Sequence, residues 1–172
     1  MTFFHFLRLL CSTCVAGWLL WLFAPWPSET LVYQKENFQC TIPGNWIVKR
    51  NATFVVTAHR FMGGTFSVVA QRVRRPFLVN GSAFIHGMRG VLESHGNEIL
   101  GDDTQPFAGR PAYSISFRHT IRGVTIYSYS VNFIANGFRY SVDLTERGQD
   151  PMRDTDLVNV LHSFALLPPG SS

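Results

Sequence analysis

The sequence predicts an α+β domain: an antiparallel sheet with helices packed on it, an α/β/α sandwich, preceded by one transmembrane helix. Three observations carry this. Runs rich in β-branched and aromatic residues recur along the chain, from Thr53–His59 to Phe138–Thr145. An Asn136-Gly137 pair joins two of them, and this dipeptide favours the positive φ angles of a two-residue hairpin. Helical spacing appears in only two places, and the strands between them do not alternate with helices as a parallel sheet requires.

The N-terminal segment is uncharged from Leu9 to Ala24, and Phe3, Phe4, Phe6 and Leu7 extend it upstream. A bilayer core needs about 20 apolar residues. Arg8 can snorkel to the headgroups at one end. Trp26, between Pro25 and Pro27, stands where an interfacial aromatic and a helix stop are expected. Signal-peptide cleavage needs small residues before the cut, whereas Leu22 and Ala24 precede Pro25 here. Leu10 and Thr13 precede the two cysteines and the apolar run follows them, which does not suit lipidation. The expectation is a retained anchor over residues 1–26, meeting membrane lipid through residues 9–24, then a linker over 27–30. Arg8 and the α-amino group lie on one side, with no Lys or Arg before Lys35 on the other. The positive-inside rule therefore places the N-terminus in the cytoplasm and the domain outside the cell (inner) membrane, in the periplasm or its equivalent.

The soluble domain is read over 31–168, with a tail at 169–172. Leu31–Tyr33 and Phe38–Ile42 read as extended, and Pro43-Gly44-Asn45 as a turn before Trp46-Ile47-Val48. Thr53–His59 and Thr65–Val73 form a hairpin around Met62-Gly63-Gly64, whose glycines are expected to supply positive φ. Over Ser82–His95, Phe84, Met88, Val91, Leu92 and His95 recur at three- and four-residue steps. Gly87 and Gly90 weaken such a helix, and close packing on the sheet would account for them. Glu98–Gly101 reads as a short strand and Asp102–Arg110 as a polar loop. Tyr113, Ile115 and Phe117 then alternate with Ser114, Ser116 and Arg118. Asp150-Pro151 caps a last helix with Leu157, Val158 and Leu161 as its buried stripe, and Phe164–Leu167 is a final short strand.

Charge is uneven. No Asp or Glu occurs from Asn37 to Leu92, against Lys49, Arg50, Arg60, Arg72, Arg74, Arg75 and Arg89. Arg60, Arg72, Arg74 and Arg75 are the candidate basic interaction face, aimed at anionic headgroups or an acidic partner. The competing reading is a solvated, Arg-rich strand edge that resists aggregation. The pattern matches no nucleic-acid-binding motif.

The stretch Phe38-Gln39-Cys40-Thr41-Ile42-Pro43-Gly44-Asn45-Trp46 resembles the opening of PsbP-like domains. Gly109-Arg110-Pro111-Ala112-Tyr113, the Asn136-Gly137 hairpin to Tyr140, and Leu161-His162-Ser163-Phe164 resemble later parts of that family, in order. The family includes the extrinsic photosystem II protein, a Ran-binding import relative and bacterial envelope proteins of the DcrB kind. The resemblance implies a docking or assembly module and offers no family-wide catalytic set to carry over.

The residues themselves point away from catalysis. His5, His59, His86, His95, His119 and His162 show neither HExxH nor zinc-finger spacing, and nucleophile-elbow, Walker and dinucleotide motifs are missing. Asp102-Asp103 in an exposed loop would both stay ionised. Cys40 reads as a small buried side chain. Neither a cofactor nor a metal is expected. The function expected is a non-catalytic, membrane-anchored interaction module serving a larger integral membrane or envelope complex. A lipid or small-molecule carrier is the alternative, with a pocket lined by residues such as Phe66, Phe84, Phe117 and Tyr129. A hydrolase stands behind both.

Overall fold

The structure, a computed structural model, describes residues 26–50, 53–61, 63–73 and 81–168. The expected anchor over 9–24, Arg8, Arg74, Arg75 and the tail 169–172 lie outside the described residues. Among those described, the elements run β1 (Glu29–Tyr33), β2 (Phe38–Ile42), β3 (Ile47–Lys49), β4 (Val56–His59), β5 (Thr65–Arg72), α1 (Gly81–Ser94), β6 (Glu98–Phe107), β7 (Arg110–Ile121), β8 (Val124–Ala135), β9 (Phe138–Arg147), α2 (Thr155–His162) and β10 (Ala165–Leu166). The first strand begins at Glu29, inside the segment read as linker.

Two antiparallel sheets form where one was expected. Seven strands pair in the order β3-β4-β5-β9-β8-β7-β6, and β1-β2-β10 make a separate small sheet. Register explains the core. Val56, Val68, Val142 and Val131 lie in one row across four strands, and Ala58, Phe66, Leu144 and Tyr129 in the next. The alternation of each strand thus places one apolar set on a single face. The small sheet, through Phe38, Cys40 and Ile42, and α2, through Leu157, Val160 and Leu161, close over that face. Phe38 stacks on Phe164 at 5.2 Å and Phe133 on Tyr140 at 5.0 Å between ring centroids. Val160, rather than Val158, completes the buried stripe of α2.

Four sequence expectations are corrected. Asp102–Arg110 is not a loop: β6 continues to Phe107 and pairs with β7 along its length, with a bulge between Ile99 and Gly101. Its polar composition misleads because β6 is an edge strand, where acids and Pro106 are tolerated on the unpaired side. Gly64 is needed for space rather than for φ. A Cβ there would lie 2.5 Å from Leu157 Cδ1 and 2.8 Å from Glu146 Oε2, and Gly64 is not among the positive-φ residues. Gly87 and Gly90 show the reverse. A Cβ at either meets nothing within 4 Å, so close packing does not explain them. The helix α1 covers less than its pattern implies, with Val91 57% exposed.

The Asn136-Gly137 hairpin forms as read, with φ of 50° and 77°. Ala108-Gly109 and Arg122-Gly123 adopt the same two-residue geometry, so β6 to β9 form a continuous meander.

Candidate functional site

Of the four arginines read as one basic face, Arg74 and Arg75 lie outside the described residues, and Arg60 and Arg72 lie apart. Arg60 follows β4 and Arg72 ends β5. The eight-residue strand between them separates the two by about 23 Å at about 3.3 Å per residue, at opposite ends of the sheet.

Arg60 is also neutralised. Its guanidinium meets Glu146 at 3.0 Å, Asp156 at 3.4 Å, and Asp154 closely enough to form its main partner. Burial lowers its pKa, but hydrogen bonding and charge from Asp154 and Glu146 outweigh this and hold it above the usual arginine value. Asp154 serves twice, since its Oδ1 also accepts from the Asp156 and Leu157 amides and caps α2. The β4–β5 turn, the end of β9 and the start of α2 are thereby tied at one point, with Gly64 letting Leu157 approach. Asp154 and Asp156 read, from sequence, only as acids near a helix start. No local signal announces a partner about ninety positions upstream.

The other cations of the acid-free stretch are dispersed. Arg50 lies over the Tyr33 ring at 4.8 Å from its centroid. Arg89 bridges Glu93 and Asp102. Arg72 is exposed at its strand end. Trp26, read as a membrane-interface anchor, lies with Pro27 against the Pro43–Gly44 turn, where a Cβ on Gly44 would sit 3.3 Å from Trp26 Cβ. That turn leads straight into Ile47, which pairs with His59 beside Arg60. The end of the sheet nearest Trp26, hereafter the proximal end, is therefore the Arg60 end.

Two concave features stand out. At the proximal end a cavity of about 520 Å³ is lined by His59, Arg60, Thr65, Thr145, Glu146 and Arg147, among others. Farther along, α2 and β6 flank a groove of about 470 Å³ whose walls include Phe107, Tyr129, Val131, Met152, Leu161 and Phe164, with Gln105 and His162 at its rim. The Gln105 amide donates to the Tyr129 hydroxyl at 3.2 Å. Of the three described residues expected to line an apolar pocket, Phe66, Phe117 and Tyr129, only Tyr129 does so. Phe66 is fully buried in packed core, Phe117 lines neither feature, and the Phe84 side chain lies outside the description.

The sheet face opposite the core carries a polar row. Thr57, Ser67, Asp143 and Ser130 stand in register across four strands. Asn132 donates to Ser130 and Ser141 donates to Asp143 at 3.0 Å. Burial raises the Asp143 pKa, while hydrogen bonds from Ser130 and Ser141 lower it in part. Cys40 is fully buried, and burial pushes its thiol up to about 12, so it stays protonated. No group of His, Cys, Asp and Glu among the described residues has the arrangement of a metal site.

No family model and no curated protein matches this chain in sequence. Solved structures do match in shape. Cyanobacterial PsbP from Synechocystis superposes with a TM-score of 0.60 at 12% identity, over 81% of this chain and 92% of that one. The Saccharomyces cerevisiae Ran-binding protein Mog1p gives 0.55 at 11%, over 83% and 96%. LpqN, involved in cell envelope biogenesis of Mycobacterium tuberculosis, gives 0.56 at 12%, over 83% and 91%. At these identities the likeness is one of fold. The chain therefore has the PsbP-like fold, a mostly antiparallel sheet with two helices, that cyanobacterial PsbP, Mog1p and LpqN share.

Proposed function

We propose that this chain is a non-catalytic interaction module, held at a membrane by its N-terminal segment, that docks a protein segment of a larger membrane or envelope complex. The observation that carries the reading is the groove between α2 and β6. Its aromatic and methionine lining is the composition enriched at protein–protein contacts. Its rim is the end of the edge strand β6, which pairs with β7 on one side and with no strand on the other among the described residues. An extended segment could add its backbone to β6 while its side chains enter the groove. Shape relatives described as Ran-binding, or as involved in envelope biogenesis, support the same class of work.

The test is purification of the full chain from its native membranes in mild detergent, beside Met152→Glu and His162→Glu variants whose fold is checked by circular dichroism. A partner retained by the wild type and lost from both variants supports the reading. Recovery of the bare wild-type protein, or the same partner on all three, refutes it. A carrier function would instead show as a lipid or small molecule extracted from the wild type alone.

A further inference from the structure

The proximal end of the sheet leaves an uncommon amount of apolar surface bare. Phe61, in the β4–β5 turn, is 61% exposed and is the most exposed large apolar side chain among the described residues. Ile121 and Val124, at 53% and 44%, flank the Arg122-Gly123 tip of the β7–β8 hairpin, and Ile47, at 47%, opens β3. All four lie at the end of the strands where Trp26 packs. Among the described residues at the far end of the same sheet, only Ile134 is comparable. Single exposed apolar residues are ordinary, but several gathered at one end of a domain are not.

Chain geometry says what lies beside this end. The apolar run read as an anchor ends at Ala24, and Trp26 is already packed on the domain. Two residues span at most about 7 Å even when extended. Trp26, which packs at that end, is therefore within about 7 Å of the point where residues 9–24 finish. Charge at this end is mixed, with one arginine among three acids and a second arginine at the hairpin tip. Glu146, Asp154 and Asp156 are engaged by Arg60, and Glu98 by Arg118. Glu29 remains exposed near the exit, while Arg122 projects from the hairpin tip between the two apolar residues.

We propose that the proximal end of the sheet rests on the lipid surface, with the Phe61 turn and the Ile121–Val124 tip seated among the headgroups and Arg122 on their phosphates. The domain then stands upright, its strands rising from the bilayer, and the groove beside α2 is held above the membrane for a partner. The inference takes its position from the reading of residues 9–24 as an anchor, but it concerns a different surface and can fail separately.

The experiment places a benzoylphenylalanine photo-probe at Phe61, Ile121 or Val124, with Ile134 as the control. Each full-length chain is reconstituted in vesicles of phosphatidylcholine and phosphatidylglycerol, and irradiated at neutral pH. Lipid adducts are read by intact mass. Yields several-fold above the Ile134 control at Phe61 and at either hairpin position support the proposal. Yields no higher than the control overturn it. A repeat in native membranes that gives protein adducts in place of lipid ones also overturns it, because the surface then belongs to a protein contact. An alkaline wash of parallel samples reports on the anchor alone. Release from the vesicles would refute the anchor, while the adduct pattern still decides the surface.

Discussion

Replacing Arg60 by alanine removes the one cation among the described residues that meets Glu146 and Asp154, whose side chains are only 7% and 8% exposed. Two carboxylates would then share a desolvated site with no counter-charge. Breaking a buried pair in this way costs about 3–5 kcal/mol. Arg60 itself is 28% exposed, so solvent screens part of the loss and the lower end, about 3 kcal/mol, applies. Asp156 is 59% exposed and adds little. Unfolding entropy near 2.1 cal/mol/K per residue, over about 140 residues, amounts to about 0.3 kcal/mol/K, so the melting temperature should fall by about 10 °C. The assay is thermal and urea unfolding of the full chain in detergent, wild type against Arg60→Ala. A loss under about 1 kcal/mol, as for a surface pair, would refute the buried-cluster reasoning.

Two further perturbations test other parts of the fold. Gly87→Ala and Gly90→Ala enter open space on α1, so each should stabilise that helix by up to about 1 kcal/mol, visible as slower amide exchange confined to residues 81–94. No gain would mean that a contact outside the described residues holds those positions. Asp143→Asn tests the polar row. Burial raises the folded-state pKa of this carboxyl, so its ionisation costs the folded state as pH climbs through the acid range and beyond. The variant should therefore be more stable than wild type in urea at pH 7, and the difference should fade below the unfolded-state carboxylate range, about pH 4. A variant less stable than wild type at pH 7 would show that the Ser130 and Ser141 hydrogen bonds outweigh desolvation.

Local chemistry was readable, and long-range placement was not. The Asn136-Gly137 hairpin, the Asp150-Pro151 cap and the apolar stripe of α2 follow from residues within one turn of each other, where periodicity and capping act directly. Asp150 does cap, through Met152 N at 2.9 Å, although α2 itself starts from Asp154. The second sheet was hidden because β1 and β2 look like any edge strands. The pairing of β2 with β10 depends on residues more than a hundred positions away. The strand β6 was misread because Gly, Asp and Pro usually mark loops, and an edge strand is where that rule fails. The same limit governed the site. An acid-free run of sequence is not an acid-free surface, since the acids that quench Arg60 arrive from β9 and α2. Register along β5, invisible in composition, separates Arg60 from Arg72.

That separation changes what the cations can do. A single basic face would have bound an anionic surface broadside, by charge alone, and salt would have released it. The observed arrangement gives the two ends of the sheet different characters. The proximal end combines one arginine enclosed by three acids, bare apolar tips and the exit of an apolar segment. The far end carries exposed Arg72 and leads to Arg74 and Arg75 in sequence. Attachment at the proximal end through apolar contact would be insensitive to salt, and it would leave the far-end cations free to meet an acidic partner. Partner capture should then weaken between low and high salt while membrane attachment does not. If both were lost together, the two surfaces would have to be one.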